Sequence, residues 1–183
     1  HPKSATFRTL DWVGLDIFQS VLNTLATDAK KDPWSSYYTT PGFIQSLIDK
    51  GYLGQKTKQG IYCKTVSEIK VWSVQKKNYQ EKTPLTRDFK RLKKRWLHDP
   101  LGCLTAPENN AVSLFLSDWF RDFWHYTAHH AARCAASPSD IDLAMRSGFQ
   151  WQEGPFESWQ KMGWQPIKSW INNAIDEGKT IVN

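Results

Sequence analysis

The stretch Gln152-Glu153-Gly154-Pro155-Phe156-Glu157-Ser158-Trp159-Gln160-Lys161-Met162-Gly163-Trp164 opens a helix, and it has an echo near the other end of the chain. The echo is Ala5-Thr6-Phe7-Arg8-Thr9-Leu10-Asp11-Trp12-Val13-Gly14-Leu15-Asp16. Placing Phe7 on Phe156, an offset of 149 residues, puts Gly14 on Gly163 and Ser20 on Ser169. Apolar positions then coincide: Leu10 with Trp159, Val13 with Met162, Phe18 with Ile167, Val21 with Trp170 and Leu22 with Ile171. Phenylalanine, two apolar positions, a glycine and then an amphipathic helix recur in the same order. We read this as two copies of one helical unit.

Working outward, 183 residues make one domain or two small ones. An apolar fraction of 40% with 14% aromatics fills a core and excludes wholesale disorder. The formal charge of +6 admits an anionic partner (nucleic acid, a membrane surface or a phosphorylated ligand) without choosing among them. Cys63, Cys103 and Cys134 are odd in number and without close pairing, which argues against a disulfide framework and for a reducing, cytoplasmic compartment. No run approaches the roughly 20 apolar residues of a membrane span, and no secretory leader is expected. The chain opens at His1-Pro2-Lys3-Ser4, in mid-motif and without an initiator Met, so a piece of a longer protein is expected.

Leu10, Val13, Ile17, Val21 and Leu25 predict an amphipathic helix ending near Asp32-Pro33, with Gly14 marking either close helix contact or a break into two helices. Thr40-Pro41 starts the next, capped by Thr40, with Phe43, Leu47 and Ile48 inward and Gly51 as its stop. Ile61–Lys64 and Ile69–Val74 predict a β-hairpin, and 76–84 reads as a polar linker. Arg87–Trp96 is a basic helix with Phe89, Leu92 and Trp96 on one face, ended by Asp99-Pro100-Leu101-Gly102. The longest helix should run from about 109 to 136, carrying Leu114, Phe115, Trp119, Phe123 and Tyr126 with alanines for close packing. Ser137-Pro138-Ser139-Asp140 caps a short helix with Ile141, Ala144 and Met145 inward and Gly148 at its end. A last helix passes through Ile167, Trp170, Ile171 and Ile175 to Gly178.

The residue patterns assemble no self-contained active site. His125 and His129 share a helical face with His130 beside them, and Cys134 offers a further ligand. A metallohydrolase would need a Glu where Tyr126 stands, so packed or capping histidines are the favoured reading and no metal is expected. There is no Gly-x-Ser-x-Gly, and no Gly-x-Gly-x-x-Gly after a strand. The basic loop Gly54–Gly60 lacks the Gly-Lys-Ser/Thr ending of a phosphate loop and reads as a structural turn. Asp140 and Asp142 are accounted for by helix-start electrostatics. The 87–96 helix is a solvated surface face first; a stand-alone module binding nucleic acid or another anion through it is the alternative.

Three stretches together resemble the C-terminal domain of 3-hydroxyacyl-CoA dehydrogenases. Asp140-Ile141-Asp142-Leu143-Ala144-Met145 with Gly154-Pro155-Phe156-Glu157 is similar to the family's Asp-Ile-Asp-x-Ala-Met helix and Gly-Pro-Phe-Glu. Leu53-Gly54-Gln55-Lys56-Thr57-Lys58-Gln59-Gly60-Ile61-Tyr62 resembles its closing Leu-Gly-x-Lys-Thr-Gly-x-Gly-Phe-Tyr. Phe7–Asp16 resembles Phe-x-x-x-Asp-x-Val-Gly-Leu-Asp. Lys58 stands where the family usually has glycine, and Thr6 where the first copy often has proline.

The resemblance implies a mainly α fold in two partial copies with a small hairpin near 61–74. Residues 1–64 would be the second half of one copy, 65–108 a hairpin, linker and basic helix, and 109–183 the first half of the next. That order is most similar to long bacterial β-oxidation enzymes, which also carry an enoyl-CoA hydratase-like region further on. The implied activity is NAD-dependent oxidation of (S)-3-hydroxyacyl-CoA. Its His–Glu general base and its NAD fold belong to an N-terminal domain that this chain is not expected to contain. No catalytic, cofactor or metal residue is therefore expected here, and the fragment alone should be inactive. Phe7, Gly14, Gly54, Lys56, Gly60, Tyr62, Asp140, Asp142, Gly154, Pro155, Phe156 and Gly163 are expected as structural motif residues. The implied partners are the NAD-binding domain, acyl-CoA, with a CoA phosphate near Lys93 and Lys94, and self-association through helical surfaces.

Overall fold

Gly14 and Gly163 adopt φ of +106° and +98°, a left-handed backbone that L side chains rarely take. Each therefore breaks what would be one long helix into two. The computed structural model describes residues 5–84 and 86–181, so the His1–Ser4 opening lies outside the described residues. In it Gly14 separates α1 (Ala5–Val13) from α2 (Leu15–Asp28), and Gly163 separates α8 (Pro155–Met162) from α9 (Trp164–Asp176). The repeat is thus a helix–glycine–helix unit, and of the two readings of Gly14 the break is the one realised.

The described residues divide into two compact units, 5–84 and 86–181. In the first, α3 (Gly42–Asp49) follows a short turn. Its N-cap is Pro41, not Thr40, so the helix starts one residue later than expected. Ile44 and Leu47 are its buried residues, and Phe43 and Ile48 pack half-buried against the same core. β1 (Tyr62–Lys64) and β2 (Ile69–Ser73) pair antiparallel as the expected hairpin, with Tyr62 opposite Val71. A third strand, β3 (Asn78–Gln80), pairs with β2 inside the stretch read as a linker. Polar Asn78 and Gln80 carried no strand pattern; the strand forms because Tyr79 packs edge-on against Trp72, ring centroids 5.2 Å apart, and its hydroxyl donates to the Gly60 carbonyl at 2.6 Å. Leu15, Ile44, Leu47, Ile61 and Trp72 form this unit's core.

The second unit opens with α4 (Arg87–Trp96), whose Thr86 hydroxyl accepts from the Phe89 N–H. Asp99-Pro100 does not simply end it. Asp99 caps α5 (Pro100–Thr105), with proline in the first turn where its missing N–H costs nothing. α6 (Ala111–Cys134) buries Ser113, Ser117, Arg121, Trp124 and His125, whereas Leu114, Phe115 and Tyr126 are exposed. Leu116, Phe120 and Phe123 pack half-buried beside Trp124, and the Ser117 hydroxyl donates to the Leu104 carbonyl at 2.6 Å. α7 (Pro138–Phe149) carries the expected capping box of Ser137 and Asp140. It runs past Gly148 and ends at Gln150, itself left-handed at φ 54°. Ala144 is exposed, and the buried side chain on this helix is Asp142. Leu104, Trp124, Phe156, Trp159, Ile167 and Ile171 make the core.

The two copies of the repeat bury overlapping faces to different depths, with Leu10, Phe18 and Leu22 half-buried where Trp159, Ile167 and Ile171 are buried. Phe156 is 8% exposed where Phe7 is 48%, and Ala174 is 4% exposed where Leu25 is 38%. Leu15 is fully buried where Trp164 is 45% exposed. The cause is the company each keeps. α6 and α7 pack on α8, whereas α3 packs on α2 and the turn at Gln55–Thr57 packs on α1.

Candidate functional site

Asp11, buried on α1, is where the first unit's motif residues meet. Its carboxylate accepts from the Ile61 N–H at 2.7 Å and the Tyr62 N–H at 2.8 Å. Gly54 and Gly60 lie so close that a Cβ at the first would collide with the Asp11 carbonyl oxygen, and at the second with its carboxylate. Burial pushes the Asp11 carboxyl above its ordinary range, opposed by those two N–H groups. Lys56 reaches back to Asp16 at 2.6 Å, which holds the Asp16 carboxyl below its ordinary range. Thr57 locks the loop by accepting from the Leu53 N–H at 2.9 Å and donating to the Gln59 carbonyl at 2.8 Å. Lys58 keeps φ at 61°, so the loop retains a left-handed residue there although a lysine occupies the place. Phe7 sits apart from this tie, edge-on to Phe43 at 6.4 Å.

The second unit repeats the device with other residues. The Asp142 carboxylate accepts from the Phe156 N–H at 2.8 Å and the Glu157 N–H at 3.1 Å, the unsatisfied donors at the start of α8. Its proximity leaves no room for a Cβ at Gly154. Glu157 accepts from the Gly154 N–H at 2.8 Å and pairs with Arg146 at 3.0 Å. Pro155 is buried, and its carbonyl accepts from the Trp124 indole N–H at 3.1 Å. Asp140 serves the start of its own helix, as expected, whereas Asp142 serves the next one; that corrects its assignment to helix-start electrostatics on α7.

Beside Asp11 lies a cleft of about 470 Å³ lined by Arg8, Trp12, Gln55, Lys58, Tyr62, Lys64 and Ile69. Sequence reasoning missed Arg8, Trp12 and Lys64. They are scattered over more than fifty positions, and only Asp11 holding the Ile61–Tyr62 backbone draws them together. The cleft contains cations, an exposed indole and a phenol, with its one carboxylate turned into the backbone tie. Such a set can bind and orient; it offers no nucleophile–base pair.

The other candidates disperse. His125 is buried with Nδ1 3.3 Å from the Thr180 hydroxyl, and the His129 and His130 rings lie 4.8 Å apart. Among the described residues no group of three metal-ligating side chains assembles. On α4, Arg91 pairs with Glu108 at 2.6 Å and Arg95 with Asp99 at 3.5 Å, which neutralises part of the basic face. The described sheet is antiparallel throughout. Cys63, Cys103 and Cys134 are free thiols, and no helix among the described residues is long and apolar enough to cross a membrane.

Residues 1–64 match the family model described as 3-hydroxyacyl-CoA dehydrogenase, C-terminal domain. Over 97% of its length the chain is 30% identical to a relative from Bacillus subtilis (strain 168) named as a 3-hydroxyacyl-CoA dehydrogenase. Over 94% it is 24% identical to one from Rickettsia prowazekii (strain Madrid E) named as a fatty acid oxidation complex trifunctional enzyme. The chain spans 24% and 23% of those relatives, about a quarter of each. No solved structure gives a significant match.

Proposed function

We propose that this chain, whose residues 1–64 match the model of the 3-hydroxyacyl-CoA dehydrogenase C-terminal domain, belongs to that family and is the helical part of an NAD-dependent (S)-3-hydroxyacyl-CoA dehydrogenase of fatty-acid β-oxidation. In this reading the helical region closes over the acyl-CoA and packs against an NAD-binding portion of the same protein, in a reducing, cytoplasmic compartment. NAD supplies hydride acceptance in the full protein. Residues 1–64 are the second half of one domain copy and 109–183 the first half of the next, joined by 65–108.

The observation that carries the reading is the Asp11 tie. Residues of two separate family-like motifs, fifty positions apart, converge on one carboxylate with glycines where the contact demands them. The shallower burial of α1–α2, with Phe7, Val21 and Leu25 exposed where Phe156, Trp170 and Ala174 are buried or half-buried, supports the two-half arrangement.

The test is a coupled assay with NADH and acetoacetyl-CoA. This chain alone should be silent, and the chain mixed with a separately made NAD-binding portion should turn over. Activity of the chain alone would reveal a catalytic centre of its own. A silent mixture, with the NAD-binding portion verified by NADH binding, would overturn the proposal.

A further inference from the structure

The cleft beside Asp11 contains Arg8, Lys58 and Lys64. Among the described residues, none of the three is in an ion pair, whereas Lys56, one residue from the same wall, is neutralised by Asp16. Among the described residues the one carboxylate lining the cleft, Asp11, accepts from backbone N–H groups with both oxygens. Three cations against one carboxylate leave the local field positive, which attracts a multiply charged anion. The apolar lining is equally specific. Trp12 is 65% exposed, an uncommon placement for a large indole, with Tyr62 and Ile69 in the same cleft. Lys58 holds its place at a left-handed backbone position that glycine would occupy without strain.

We propose that this cleft binds the phosphorylated, base-bearing end of a coenzyme A thioester, with Arg8, Lys58 and Lys64 on the phosphates and the Trp12 ring against the adenine. A simple inorganic anion would leave the indole unused, and an apolar ligand would leave three cations unmatched; a nucleotide-type phosphate uses both. The ligand's identity as an acyl-CoA rests on the function proposed above. The assignment also moves the expected phosphate contact from Lys93 and Lys94 on α4 to this cleft.

The experiment is calorimetric titration of the 183-residue chain with CoA, dephospho-CoA and inorganic phosphate, alongside Lys58→Gly, Lys64→Ala and Trp12→Phe. CoA should bind most tightly, and losing one cation should weaken it about tenfold, the scale of one charge-assisted hydrogen bond. Lys58→Gly separates binding from folding: it should leave thermal stability equal or higher while still weakening CoA. Quenching of tryptophan fluorescence by CoA should drop in Trp12→Phe. CoA affinity unchanged in Lys58→Gly and Lys64→Ala would overturn the proposal, as would phosphate binding as tightly as CoA. The coupled assay separates this from the function itself. Restored activity with an unchanged KM for acetoacetyl-CoA in both lysine variants would remove the cleft and leave the dehydrogenase reading standing.

Discussion

Asp11 and Asp142 each hold two successive backbone N–H groups from a distant stretch, and they owe their burial to that task. Exposed Asp16 is a different case. Its hydrogen bond to Lys56 depresses the folded carboxyl below its ordinary value of 3.8. A carboxyl depressed on folding binds fewer protons folded than unfolded, so its stabilisation is present above that value and is lost as pH falls through the folded pKa. Unfolding midpoints measured across the acid range should therefore drop more steeply in wild type than in Lys56→Met. Equal profiles would mean that the pair contributes nothing in solution, as many exposed pairs do not. The sequence made the Lys56-Thr57 pair visible through its motif, but gave no sign of its partner forty residues earlier.

At the scale of elements, α8 depends on α7 for its first turn. Glu157 satisfies the Gly154 N–H locally, but the next free donors, on Phe156 and Glu157, point at Asp142. Asp142→Ala should leave two buried donors unpaired and destabilise the second unit by about 3 kcal/mol, given about 1–3 kcal/mol per orphaned group. Urea unfolding should show a lower midpoint with an unchanged slope; a shift below the scatter of surface substitutions would show that water replaces the carboxylate. The start of α7 was readable because the capping side chain of Ser137 lies within three residues of its donor; Thr86 and Asn110 cap as locally, although the sequence reading did not single them out. The start of α8 was only half readable, because its second cap comes from another helix.

Over the whole molecule, the repeat carries the main consequence. Val13, Ile17, Val21 and Leu25 recur every four residues along α1–α2 and stay exposed in the described residues. If the two-half arrangement holds, that stripe is covered in the full protein by elements of the kind that cover α8–α9. Ile17→Lys with Val21→Lys should then change the stability of this chain by less than about 1 kcal/mol, since both sites are surface here, yet abolish the activity restored by an NAD-binding portion that carries the preceding helices. Retained activity would count against the arrangement. The sequence alone determined the Phe-to-Gly repeat, the Ser137 capping box and the first hairpin, because each is written in residues a few positions apart. Tertiary structure alone decided how deeply each repeat is buried, that α6 turns Ser117 and Trp124 inward while Leu114 and Phe115 stay exposed, and that Asn78–Gln80 is a strand. It also decided that Arg8, Trp12, Lys58 and Lys64 share one cleft. The physical reason is common to all four: each depends on which distant side chain arrives to fill a face, accept a hydrogen bond or fix a backbone, and local pattern carries no record of that arrival.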